Sequence, residues 1–195
     1  MKGLIIILSF LLVSCISQKH TKPSIVSVSN EEAKDIVKLY FWWEIEKIDN
    51  SFYDKQSKDI LEDGFYSINI NNCGISDDIV TKSGDMDKRG YIKKGKFFKK
   101  WVYLIDNDTL KIVNYNIKGL LDGNYIIYTQ NKKTKYKTTF RSGTGYYKNY
   151  CFRTEKLKEE GQYLKGKKNG YWIFYDEKGN ETHREYYKKG VLINQ

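Results

Sequence analysis

Apolar and aromatic residues alternate with charged ones over most of the C-terminal half of the chain. The pattern is clearest from Gly161 to Gly190, GQYLKGKKNGYWIFYDEKGNETHREYYKKG. Tyr171–Tyr175 is a run of bulky groups, Asp176–Asn180 has turn composition, and Glu181–Tyr187 alternates charge with aromatics. Alternation with a period of two predicts strands, and a polar glycine-bearing break between two such runs predicts a hairpin.

Weaker copies lie upstream. Gly166, Gly170, Trp172 and Tyr175 are separated by steps of four, two and three. The same steps connect Gly119, Gly123, Tyr125 and Tyr128. They also connect Gly95, Lys99, Trp101 and Leu104, with lysine at the second glycine position. In Arg141, Gly145, Tyr147 and Tyr150, arginine stands at the first. The second position recurs at 99, 123, 145 and 170, a period of 22 to 25 residues that marks stacked supersecondary units. Within units, turns are expected at Asp106–Thr109, Gln130–Thr134, Arg153–Lys156 and Asp176–Asn180. Between units, Gly95, Gly119, Gly143, Gly166 and Gly190 should reverse the chain. The expected fold is mainly β: an antiparallel meander of β-hairpin repeats over 91–195, forming one sheet that grows along its own axis. A lone hairpin is marginal in water, so neighbouring units must supply the burial.

A different periodicity precedes the repeats. Ser29-Asn30-Glu31-Glu32 fits a capping box, and Ala33, Ile36, Val37, Tyr40, Phe41, Ile45 and Ile48 follow with helical spacing. The pattern predicts one N-terminal α-helix over Asn30–Ile48, its stripe widened by Trp42 and Trp43, covering an end or face of the sheet. Gly64–Ile70 reads as a strand, with turns at Asn71–Gly74 and Lys82–Asp85. Residues 30–90 thus form a helix plus an irregular β region.

The first residues belong to another category. Lys2 precedes an apolar run from Gly3 to Val13 that is too short to span a bilayer, so 1–14 reads as a signal peptide. Leu12-Val13-Ser14-Cys15 resembles a bacterial lipobox. That resemblance implies cleavage before Cys15, lipid on its thiol and new amino group, and a stable anchor in the cell envelope. Residues 15–29, with the only proline at Pro23, read as a flexible tether. Outside the cytoplasm, Cys73 and Cys151 could form a disulfide, or remain two small buried thiols.

The pattern Tyr-x-x-Gly-x-x-x-Gly-x-Trp-x-x-Tyr followed by Tyr-x-x-x-Gly, best preserved in Tyr163–Gly190, resembles the variant MORN repeat. Bacterial proteins carrying it are often labelled YwqK-family antitoxins. The resemblance covers roughly Tyr91 to Gln195 and implies a hairpin-repeat fold. Lys99 and Arg141 depart from it, and a lipobox is at odds with an antitoxin acting in the cytosol.

The 195 residues carry 34 Lys+Arg against 24 Asp+Glu. Lysines cluster near expected turns at 93–100, 132–137 and 165–168, so they should line a sheet edge. Such a row either repels strand addition or attracts an anionic surface. No catalytic constellation is evident. His183 lies between Glu181 and Glu185 on one strand face, and Asp106-Asn107-Asp108 lacks the distal glutamate of a calcium loop. The reading is therefore a non-enzymatic, lipid-anchored envelope protein without metal or cofactor. It would act as a binding or scaffolding surface for a protein or an anionic envelope component, not for nucleic acid. Two alternatives are an immunity protein that neutralises a partner toxin at the envelope and an envelope enzyme with a site in Asp49–Arg89.

Overall fold

The computed structural model describes residues 25–26, 37–41, 45–48, 51–69, 86–151 and 154–194. Cys15, Cys73, Pro23, the signal peptide and the turns expected at 71–74 and 82–85 lie outside them. The described residues form strands and the turns that join them. First come β1 (Ile25–Val26), β2 (Val37–Phe41), β3 (Ile45–Ile48), β4 (Ser51–Asp54), β5 (Gly64–Asn69) and β6 (Met86–Lys93). The repeat region supplies β7 (Lys96–Ile105), β8 (Asp108–Tyr115), β9 (Leu121–Tyr128), β10 (Thr134–Phe140) and β11 (Gly145–Tyr150). It ends with β12 (Leu157–Leu164), β13 (Lys167–Tyr175), β14 (Glu181–Lys188) and β15 (Val191–Asn194).

From β5 onward the chain is an antiparallel meander, with neighbours in sequence also neighbours in space within each sheet. Every hairpin between repeat units turns where a glycine was expected to turn it. Lys94-Gly95, Ser142-Gly143, Lys165-Gly166 and Lys189-Gly190 all have positive φ at both residues, as do Asp106-Asn107. This is what two-residue type I′ turns require, and their twist matches that of the strands they join. The longer turns are tied by side chains. Asn116 Oδ1 accepts from the N–H of Lys118 and Leu120, and Asp176 Oδ1 from those of Lys178 and Asn180.

Lys99 shows how a drifted unit keeps its geometry. Its φ is +59°, in the same left-handed region as Gly123 at +97° and Gly170 at +75°. A lysine there is strained by about 1 kcal/mol. Lys99→Gly is expected to raise stability by up to about 1 kcal/mol, less the extra freedom glycine gives the unfolded chain. Lys100→Gly next door, with ordinary strand geometry, should lower it; urea midpoints of the two variants check this.

Three features differ from expectation. The helix over Asn30–Ile48 is not found: Val37–Phe41 and Ile45–Ile48 are strands, and the remaining positions of that span lie outside the described residues. β2 is drawn into the sheet by a parallel pairing with β5, Val37 opposite Phe65 through Phe41 opposite Asn69. β3 pairs with β4 in a small hairpin that brings Ile45 and Phe52 into the core. Second, the meander is not one sheet. Eight strands in the order β1-β2-β5-β6-β7-β8-β9-β10 form one, and β11 to β15 form another. Third, β10 and β11 form no ladder: the turn between them closes with a single bridge, Arg141 with Thr144, and beyond it only side chains join the two strands.

Tyrosines close this junction. The Tyr136 hydroxyl donates to the Tyr146 carbonyl and the Tyr125 hydroxyl to the Lys148 carbonyl, each at 3.0 Å. Side chains of the first sheet thus bond two edge carbonyls of β11 that a neighbouring strand would otherwise bond.

The core is a chain of rings. Trp101 and Trp172 are fully buried. Phe97 lies 4.0 Å from Trp101, Tyr125 5.4 Å from Tyr147, and Tyr163 4.9 Å from Trp172, ring centre to ring centre. The third position of all four units therefore faces one continuous interior. Tyr125 is buried with Val113, Ile127 and Phe140, and Tyr147 packs against that group.

Candidate functional site

In a meander, successive turns alternate between two ends, and here the ends differ in charge. The Lys94-Gly95, Asn116–Leu120, Ser142-Gly143, Lys165-Gly166 and Lys189-Gly190 turns share one end. They are stacked on one another. The N–H of Gly143 donates to Leu121 O at 2.7 Å, that of Gly166 to Gly143 O at 2.9 Å, and that of Gly190 to Lys168 O at 2.8 Å. Lys94, Lys118, Arg141, Lys165 and Lys189 are all exposed on this row. The opposite end mixes signs: Asp106, Asp108, Glu155, Asp176 and Glu177 stand among Lys132, Lys133, Lys156 and Lys178. There Lys132 pairs with Asp108 at 2.8 Å, and Glu155 accepts from the Gln130 N–H at 2.9 Å. The lysine clusters therefore separate: those at 93–96 and 165–168 join the basic end, while Lys132 and Lys133 fall at the mixed one.

The second feature is a cavity of about 300 Å³ where the two sheets diverge. Its floor is the first sheet: Tyr103 from β7, Lys111, Val113 and Tyr115 from β8, and Leu121 and Tyr125 from β9. Tyr147, Tyr163 and Gly166 of the second sheet form the facing wall, and Lys47 of β3 stands at the margin. The cavity exists because β10 and β11 part after the Ser142-Gly143 turn. Ring packing keeps the sheets together without closing the gap.

Its chemistry is one-sided. The Lys111 ammonium lies 4.5 Å from the centre of the Tyr103 ring and 5.9 Å from that of Tyr125. Burial lowers its pKa to about 8, against a smaller upward pull from the Glu159 charge. Burial also holds the Tyr115 and Tyr125 phenols well above their ordinary pKa, and that of Tyr163 at about 12. All remain neutral at physiological pH. The Tyr125 and Tyr147 rings lie 5.4 Å apart, and the Tyr125 hydroxyl donates to the Lys148 carbonyl. No lining residue is acidic.

Other candidates are structural. Glu181, His183 and Glu185 are each engaged separately: Glu181 with Arg184 at 2.9 Å, His183 stacked on Phe174, and Glu185 with the Tyr187 hydroxyl at 2.6 Å. Asp106 and Asn107 form a two-residue turn, and Asp108 pairs with Lys132. Among the described residues no group of three or more His, Cys, Asp or Glu is placed to hold a metal ion. Glu160, on the outer face, accepts from Tyr146, Tyr175 and Lys148. Burial alone would raise its pKa, but these bonds reverse the shift and lower it. Cys151 starts the β11–β12 turn, its N–H donating to Lys156 O at 2.9 Å; its pairing with Cys73 lies outside the described residues.

Sequence reasoning did not single out Lys111, although a signal was present. Lys111, Val113 and Tyr115 share parity on β8, which places a lysine on an apolar face. Lys88 has the same parity as Gly90 and Ile92 on β6 and is 6% exposed, its ammonium 4.9 Å from the centre of the Phe97 ring. No protein-family model matches the chain, and neither the curated proteins nor the solved structures give a match.

Proposed function

We propose that this chain is a MORN-like array of hairpins, held at a bacterial envelope by lipid on Cys15, that acts as a non-enzymatic binding platform. Its basic end engages an anionic envelope component. The observation that carries this reading is the row of five stacked turns, each presenting an exposed lysine or arginine at the same end of the meander. Opposite charge attracts over several ångströms and is screened by salt, so such a row favours an extended anionic partner over a single small ion.

Two measurements test it. Cys15→Ala should move the protein from the membrane to the soluble fraction; unchanged membrane association would remove the anchor from the proposal. Co-sedimentation of the unanchored chain with isolated envelopes should weaken about tenfold as salt rises to several hundred millimolar. Exchanging Lys94, Lys118, Lys165 and Lys189 for glutamate should abolish sedimentation, while exchanging Lys132, Lys133 and Lys178 should leave it intact. Equal behaviour of the two variants would defeat the platform reading.

A further inference from the structure

The cavity between the sheets, bordered by Gly119, Leu120 and Gly166 of two basic-end turns, has an interior that a platform working through its exposed lysines does not use. We infer that it is a binding site for a small organic anion, with a carboxylate or phosphate head on Lys111 and a flat unsaturated body among the tyrosines.

Three observations carry the inference. The first is polarity. The lining presents two ammonium groups and five phenols, and no carboxylate. A cation would meet the two like charges of Lys47 and Lys111 with no carboxylate to offset them, whereas an anionic head meets the Lys111 ammonium as its partner. The second is the state of Lys111. No carboxylate among the described residues forms an ion pair with it; its neighbours are the Tyr103 and Tyr125 rings. A desolvated ammonium without a bonded counter-ion is costly, and an entering anion would relieve that cost. The third is shape. About 300 Å³ is at the small end of ligand pockets, enough for a single ring with its head group and too little for a polymer chain. Tyr147 and Tyr163 stand 5.5 Å apart, edge to face, and offer ring surface to a planar body.

The charges around Lys111 fix the expected pH dependence. Lys88 on β6 and Lys47 on β3 are like charges, and Lys111 itself adds to the downward shift at Lys88. Glu159 on β12 is the opposing charge, and the tyrosines on β7, β8, β9, β11 and β12 stay neutral until well into the alkaline range. Lys111 is therefore the group of the cavity that loses charge first as pH rises.

Benzoate and phenyl phosphate serve as probes for the two heads, with benzyl alcohol and benzylamine as neutral and cationic controls. Binding to the purified full chain is followed by isothermal titration and tyrosine fluorescence. At least one anion should saturate at pH 7, and the stronger identifies the head. Benzylamine should not bind. Affinity should fall about tenfold between pH 7 and pH 10, the worth of one charge-assisted contact. Lys111→Met should produce the same loss at pH 7, while Lys132→Met at the mixed end leaves affinity unchanged. The pH series uses the unaltered protein, so the inference stays testable even if Lys111→Met fails to fold. No saturable binding of either anion, equal binding of benzylamine, or full affinity at pH 10 would overturn it. Exchanging only Lys94 and Lys189 for glutamate, the two basic-end lysines whose turns do not line the cavity, should weaken co-sedimentation with envelopes and leave probe binding intact, which separates this site from the platform.

Discussion

Gly161→Ala is expected to destabilise the protein by about 2 to 4 kcal/mol, and Gly90→Ala by a similar amount. Each glycine sits directly across from a tryptophan in its hairpin, Gly161 opposite Trp172 and Gly90 opposite Trp101. A Cβ at Gly161 would lie 2.5 Å from Trp172 Cδ2, and one at Gly90 2.5 Å from Trp101 Cδ2. Neither ring can retreat. Trp172 donates its Nε1–H to Gln162 O at 3.2 Å, and Trp101 donates to Tyr91 O at 2.9 Å. Both are fully buried against further rings, so moving them reopens the packing of the adjoining unit. Gly170→Ala is the comparison. A Cβ there meets nothing within 4 Å, and the only cost is a positive φ, about 1 kcal/mol. In a double-mutant cycle, Trp172→Leu should cost less in the Gly161→Ala background than alone, since part of the clash has gone. If denaturant unfolding puts Gly161→Ala within about 1 kcal/mol of the unaltered protein, the interlocked glycine–tryptophan pair is not what holds the repeats.

Stability is expected to rise from pH 7 toward pH 10 and to fall beyond it. Burial lowers the pKa of Lys88 to about 7 and of Lys111 to about 8, with neighbouring lysines adding to the shift at Lys88. In the unfolded chain both keep their protons up to the ordinary lysine value of 10.5. Between the folded and unfolded values the unfolded state binds more protons, so raising pH favours the fold. Each lysine contributes at most about 1.4 kcal/mol per pH unit within its window. The tyrosines act in the opposite sense. Burial raises the pKa of Tyr115, Tyr125 and Tyr147 above 10, so above that pH the unfolded chain loses phenolic protons that the folded protein retains. That stabilisation, complete below pH 10, is lost as pH climbs. Urea unfolding from pH 6 to 11 measures the profile, and Lys111→Met should flatten its rising limb. A curve that is level or falling between pH 7 and 9 would mean that the two ammonium groups are hydrated rather than buried among rings.

Local chemistry accounts for what could be read from the residues. A type I′ turn needs two consecutive residues at positive φ, and pairs such as Lys165-Gly166 and Asp106-Asn107 declare it without help from distant contacts. Parity along a strand separates its two faces by the same local logic, but which face turns inward is set by the pairing between strands. The hairpins and their order were thus legible, and so was the strand expected over Gly64–Ile70, found over Gly64–Asn69 with Ile70 outside the described residues.

What the sequence could not determine depends on partners remote in the chain. Val37, Tyr40, Phe41, Ile45 and Ile48 suit a helical stripe, yet two of the segments they occupy are strands. β5 offers β2 a backbone edge, and Phe52 and Trp101 offer Ile45 a core; neither is visible in the local period. The break after β10 has a similar origin. Arg141–Gly145 resembles the other reversals, but packing the first sheet's tyrosines onto the carbonyls of β11 yields two sheets in place of one. By itself the sequence determined a train of aromatic hairpins, because turns and strand parity are set by neighbours in the chain. Only the tertiary structure decided the burial of Lys88, the setting of Lys111 against the Tyr103 and Tyr125 rings, the cavity and the collection of basic turns at one end, because each depends on which strands come to lie side by side.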